Sequence, residues 1–418
     1  MLKSALLLIM ASPLLSSGTP AQVNTDGGKE PPIIVYGESL ADSARRLNGC
    51  IERQCAPDQD IAATLRHAEN QFVAGDYLNA RRTLLASRSR NKKFSKTYPV
   101  EVANLLRANS RVAAHLGEGE AQFLGAVDTV SALKAGLPDD HPRVLGARVE
   151  LGDAYARFSR FTAAESTYRD VARRARELGL SKIEGHALLR IAAMYTLLAE
   201  EDPASYRYSA KRALDTLVSS DNPNLALFAD AARVLKARIA FRNGDSSVVD
   251  ALIARYQTQA PELTPTLLYA PRLDSFQSAR TDNLNIDFGF SSALGRLATR
   301  NFDDQWIDVG FWVAPDGRVT DAAILRQSGR YSNRNPWAAP ILASIEGRRY
   351  ARIALDPSDP GIFRIERYTF TSRWTGITGT RIRQRSVQPQ IEFLDLSPIS
   401  GKTVTENGPV PAREQRPA

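Results

Sequence analysis

Residues 144–176 read VLGARVELGDAYARFSRFTAAESTYRDVARRAR, and this stretch decides the larger part of the fold. Its apolar residues recur at helical spacing, without strand-like alternation. Leu151, Gly152 and Tyr155 fall on one helix, Ala164 and Tyr168 on the next. Gly152 and Ala164 let the two helices approach closely, while Tyr155 and Tyr168 fill the groove between them. A small residue opening the second helix of a pair recurs at Ala80, Ala121 and Ala210, with Val249 as a weaker fifth landmark. The intervals along the series are 41, 43, 46 and 39 residues, so the unit is a helix pair plus a variable turn. Four or five such units fill residues 60–258. Gly75-Asp76-Tyr77 ahead of Ala80 puts a helix-ending glycine inside the first pair, and Gly244-Asp245 ahead of Val249 repeats the offset.

Leu151-Gly152, Tyr155, Ala164 and Tyr168 together resemble the tetratricopeptide repeat, with its L-G-x2-Y and A-x3-F or Y positions. The loop Leu137-Pro138-Asp139-Asp140-His141-Pro142 is similar to the linker of the longer, kinesin-light-chain type of that repeat. Asp140 or His141 would cap a helix whose first turn carries Pro142. That role accounts for the acid-rich run better than a metal site does, because adjacent residues cannot all face one ion. The resemblance implies a solenoid whose first helices line a concave groove for a peptide or partner protein. In the best copy Val149, Asp153, Ala156 and Arg157 are the side chains expected to face that groove.

Beyond residue 258 the helical period fails. Pro261, Pro265 and Pro271 mark a linker over 259–285. The period then changes to two: Ile307, Val309, Phe311 and Val313 alternate with Trp306, Asp308, Gly310 and Trp312, which is a strand. Asp316-Gly317 follows as a hairpin turn, and a second strand runs from Val319 to about Gln327. Trp337, Ile341 and Ile345 define one helix with an apolar stripe, and a last strand runs from about Phe363 to Trp374, its alternation slipping near Arg367 as at a bulge.

Strand, Asp316-Gly317-Arg318-Val319 turn, strand ending in Ser328-Gly329, helix, Arg349-Tyr350 and a final aromatic strand resemble the C-terminal domain of TonB, over roughly 90 residues. That resemblance implies capture of an extended segment of an outer-membrane receptor along an exposed sheet edge. The first candidate edge is the backbone of the last strand, from Arg364 to Arg373, with Arg364, Ile365, Tyr368 and Phe370 as contact residues. Arg348-Arg349-Tyr350-Ala351-Arg352 replaces the family's usual small-Pro motif after the helix. The fold class expected is therefore multidomain: an all-α tetratricopeptide-like solenoid at 60–258, then a small α+β TonB-C-terminal-like domain at 286–375, an antiparallel sheet plus one helix. The tail at 376–418 is polar and proline-rich and is expected to be mostly disordered, although Gln390 to Leu396 could add a strand that covers the sheet edge.

The first 21 residues carry Lys3, a short apolar run broken by Pro13, and small residues up to Ala21, the pattern of a cleaved signal peptide. An uncleaved inner-membrane anchor is the alternative, disfavoured because a span needs about 20 apolar residues. Export to the periplasm makes a structural disulfide of Cys50 and Cys55, the only cysteines, within a leader segment at 22–59. It also removes the chain from the compartment that holds most nucleic acid. Nine basic residues between Arg81 and Arg111 face only Glu101, and such a patch could meet an acidic partner or an anionic membrane surface; a solvated helix face is the plainer reading. No nucleophile elbow, phosphate loop, dinucleotide fingerprint or zinc-binding histidine pair is present, so no catalytic, cofactor or metal residue is assigned. The expectation is a non-enzymatic periplasmic adaptor that binds proteins or peptides. A component of TonB-dependent transport is the first rival and a hydrolase with an unrecognised site the second.

Overall fold

The structure, a computed structural model, describes residues 38–242, 265–271, 302–328, 337–353, 358–376 and 383–397, with isolated positions at 245–255 and 355–356. The leader at 1–21, Val249, residues 329–336 and most of 259–301 lie outside the described residues.

Proline sets where four of the helices begin. Pro57, Pro99, Pro142 and Pro203 open α2 (Pro57–Val73), α4 (Pro99–His115), α6 (Pro142–Arg157) and α9 (Pro203–Val218). Proline fits there because a first-turn residue has no intrahelical use for its N–H. His141 caps α6 as expected, its Nδ1 accepting from the Arg143 N–H at 3.1 Å. The remaining helices are α1 (Leu40–Glu52), α3 (Tyr77–Asn91), α5 (Gly119–Lys134), α7 (Phe161–Glu177), α8 (Ser181–Glu201) and α10 (Ala226–Arg242). Short connections make consecutive helices antiparallel, and each packs on the next.

The α6/α7 pair packs as its sequence implies. A methyl group on Gly152 would lie 2.4 Å from the Tyr168 ring, so the glycine is the recess that admits the tyrosine. Tyr168 and Ala164 are fully buried. In the preceding pair the landmark Ala121 is only half-buried, and close approach falls one turn later, at Gly125 against Ser110. Three turns between paired helices carry a residue with positive φ, at Gly75, Gly117 and Ser159, a regular 42-residue spacing.

The C-terminal region forms a four-stranded antiparallel sheet in the order β3-β2-β5-β6, from β2 (Trp306–Val313), β3 (Val319–Gln327), β5 (Ile362–Gly376) and β6 (Arg383–Asp395). One helix, α11 (Ala338–Glu346), covers one face through Ile341 and Ile345. Three expected boundaries move. The leader segment at 22–59 contains α1. The linker at 259–285 contains β1 (Leu267–Tyr269), paired with β4 (Arg349–Tyr350). The tail at 376–418 supplies β6, longer than the Gln390–Leu396 strand anticipated. Cys50 and Cys55 are bridged, tying the last turn of α1 to the residues just ahead of α2.

Arg348, between α11 and β4, is buried in the sheet domain. Its Nη1 donates to both Glu366 oxygens at 2.8 and 3.0 Å and its Nη2 to the Tyr368 hydroxyl at 2.8 Å, so the charge is satisfied internally.

Candidate protein-interaction surface

Alternation along the strands gives the sheet two covered faces. Ile307, Val309, Phe311, Tyr368, Phe370, Ile391 and Phe393 point toward α11. The residues between them, Trp306, Asp308, Arg367, Thr369 and Glu392, meet the helical stack instead. The sheet lies across the three positive-φ turns, and an arginine reaches each. Arg367 Nη1 and Nη2 donate to the Phe72 and Val73 carbonyls at 2.5 and 2.8 Å, at the end of α2. Arg385 Nη1 donates to the Leu116 carbonyl at 3.0 Å, at the end of α4. Arg373 Nη2 donates to the Arg157 carbonyl at 2.9 Å, at the end of α6. A cation at a helix C-terminus satisfies orphan carbonyls and opposes the negative end of the helix dipole. The geometry leaves little clearance: the Trp374 N–H donates to the Gly117 carbonyl at 2.9 Å, and a methyl group on Gly117 would fall 1.9 Å from the Ser372 carbonyl oxygen.

The first clamp is the most buried. Arg367 and Asp308 are both inaccessible to solvent, joined by Nε–Oδ1 and Nη2–Oδ2 bonds of 2.6 and 2.9 Å, with the guanidinium 4.1 Å above the Trp306 ring. Burial opposes the Arg367 charge, but the bond to Asp308 and the interactions with Tyr77 and the Asp308 charge together outweigh that and hold its pKa above the ordinary arginine value. Beside it the Tyr77 hydroxyl and His115 Nδ1 share the Thr369 hydroxyl at 2.9 and 2.8 Å. Burial, then the positive charges of Arg367 and Arg157, push the His115 pKa down to about 3.

This carries a pH dependence with a defined sign. His115 is neutral when folded and titrates near 6.5 when unfolded, so the unfolded chain binds the extra proton. Stability is full above about pH 6.5 and should fall on acidification toward about pH 3, by up to about 1.4 kcal/mol per pH unit. His186, lowered to about 4 chiefly by burial, acts in the same direction. In urea unfolding between about pH 7 and 4, His115→Asn should show a shallower loss than the unsubstituted chain.

The residues expected to line an open groove do not do so. Val149 and Ala156 are core residues between α6, α7 and α8. Asp153 accepts from the Tyr168 hydroxyl at 2.7 Å and pairs with Arg190 at 3.1 Å; burial pushes its carboxyl up, with Arg190 working against it. Arg157 binds both oxygens of Glu392 on β6 at 2.9 Å. The expected edge is corrected as well. β5 is an interior strand, paired with β2 on one side and β6 on the other. Tyr368 and Phe370 are core, Arg364 pairs with Asp395, and the Ile365 backbone is bonded to Leu396 and Ser397. The β2/β5 register runs unbroken through Arg367, and the irregularity lies between Ser372 and Trp374. What breaks the alternation at Arg367 is burial of both faces.

Five of the nine basic residues at 81–111 meet carboxylates on or at the start of other helices. Arg81 pairs with Glu118, Arg88 and Lys92 with Asp128, Arg90 with Asp60 and Arg107 with Glu150. Those five are not free to meet a membrane surface.

Among the described residues the sheet has two outer edges without a strand partner: that of β6, whose Arg385 and Glu392 side chains reach the helical stack, and that of β3, where only Arg318 bridges to Arg349. Ile324 and Leu325 stand 36% and 40% exposed on that strand. The edge is irregular: register shifts fall on either side of Val309 and Gly310 in the β2/β3 pairing, and Asp321 has φ +51°. Bulges of this kind keep an edge from pairing indiscriminately. The Asp-Gly hairpin signals that edge in the sequence, because the strand after it has a fixed partner on one side only. Among the described residues no group of histidines, cysteines and carboxylates is placed to hold a metal ion, and no helix is long and apolar enough to cross a membrane. No protein-family model matches the chain, and no curated protein matches it.

Proposed function

We propose that this chain is an exported, non-catalytic adaptor, its helix pairs tetratricopeptide-like and its C-terminal domain TonB-like, which captures an extended protein segment along β3. The observation that carries the reading is the partly apolar edge of β3, exposed at Ile324 and Leu325, on a sheet whose other edge strand, β6, is tied to the helical stack through the side chains of Arg385 and Glu392. An incoming strand would take its affinity from main-chain hydrogen bonds and its selectivity from Ile324 and Leu325. Periplasmic export rests on the leader pattern and on the Cys50–Cys55 bridge, which suits an oxidising compartment.

A photo-crosslinking residue at Leu325 should trap a partner segment in cells, whereas one at the exposed helical residues Tyr208 or Leu227 should not. The segment so identified should bind Ile324→Lys/Leu325→Lys about tenfold or more weakly by calorimetry. The unfolding free energy should change by no more than about 0.5 kcal/mol per site. Equal binding to both forms, or cross-links confined to the helical positions, would rule the edge out.

A further inference from the structure

We propose that a cleft between the helical stack and the sheet is a second binding site, and that it takes the free C-terminal carboxylate of a peptide ending in an aromatic or branched apolar residue. The cleft encloses about 340 Å3, where the start of α5 and the α6–α7 turn meet the ends of β5 and β6. This is the small end of the range of about 300–1,000 Å3 for ligand pockets, enough for one large side chain and its terminal group.

Its walls are aromatic and its charge is positive. Phe123 and Phe158 stand edge to face at 5.5 Å, and Trp374 also lines the cleft. Arg160 lies 5.0 Å over Phe123 and Arg373 4.5 Å over Phe158, so each guanidinium is held against a ring. Neither arginine has a carboxylate within ion-pairing distance among the described residues. Glu392, the nearest acid on β6, has both oxygens bound by Arg157. Glu120 is the single acid lining the cleft against the two cations. Burial, and the positive charge of Arg157, lower the Arg373 pKa, as for a cation short of a counter-ion.

An occupant must therefore bring an anion and an apolar group close together. A C-terminal residue carries both on one Cα: its carboxylate meets the guanidinium forks, whose paired donors suit two oxygens, and its side chain enters between the rings. The site does not depend on the β3 edge, which belongs to the opposite end of the strand order.

The test is fluorescence anisotropy on the full chain with a labelled hexapeptide ending in phenylalanine. The free-acid peptide should bind, more weakly as salt rises. C-terminal amidation, and replacement of the terminal phenylalanine by glycine, should each weaken it about tenfold or more. Arg160→Gln should do the same. Arg160 is exposed on the turn and donates to none of the three helix carbonyls, so its loss leaves the docked sheet intact, unlike loss of Arg373. Equal affinity for acid and amide, an unchanged affinity in Arg160→Gln, or no binding of the free acid at millimolar concentration would overturn the proposal. A peptide with an internal aspartate binding as tightly would overturn the C-terminal assignment.

Discussion

Asp308→Ala is expected to destabilise the whole chain by about 3–5 kcal/mol, the largest effect of any single polar replacement in the sheet. Asp308 supplies both carboxylate bonds to Arg367 and also holds Arg326, and it is fully buried. Its removal leaves Arg367 with only the Phe72 and Val73 carbonyls in a site closed to water. An isolated buried cation costs far more than the pair that contained it was worth. Arg367→Met placed on top of Asp308→Ala should therefore recover stability, because it removes the stranded charge while leaving an apolar chain under Trp306. Urea unfolding of the two single variants and the double variant checks this. A double variant as unstable as the sum of the singles would contradict it.

Gly117→Ala should cost about 2–5 kcal/mol, for two separable reasons. Gly117 has φ +73°, a conformation that costs an L residue about 1–2 kcal/mol. The added methyl would also overlap the Ser372 carbonyl oxygen, which is backbone and cannot rotate away, at a cost typical of overpacking of about 1–3 kcal/mol. Gly179, also at positive φ but with nothing within 4 Å of the methyl that alanine would add, is the control. Gly179→Ala should show the backbone cost alone. Thermal unfolding of the two variants side by side separates the cost of the turn from the cost of pushing the sheet off α4.

Local packing is readable in the sequence where one residue's shape explains another's. Gly152 and Tyr168 form such a pair, as do the Asp316-Gly317 turn and its flanking strands, and the stripe of Ile341 and Ile345. Only Gly317 of the Asp-Gly pair takes positive φ. Contacts between distant segments are not readable. Arg88 and Asp128 are 40 residues apart and Arg107 and Glu150 are 43 apart, so counting charges along the chain finds a basic patch where the fold makes ion pairs. β5 reads as a terminal strand because the sequence from Arg383 to Pro389 is polar, and polarity in a strand lying over the α4–α5 turn says nothing about pairing. Val149 and Ala156 are misplaced for a related reason: periodicity finds the buried stripe of a helix but does not tell which neighbour covers it.

The three arginine clamps make a definite claim: the helical stack and the sheet unfold as one unit. All four tryptophans, Trp306, Trp312, Trp337 and Trp374, belong to the sheet region, whereas the far-ultraviolet circular dichroism comes mainly from the helices. Urea unfolding of the full chain followed by both signals is the most direct test. Coincident transitions with one midpoint are predicted. Tryptophan fluorescence that changes at a urea concentration where the helical signal is still native would show that the sheet undocks by itself, and would contradict the account.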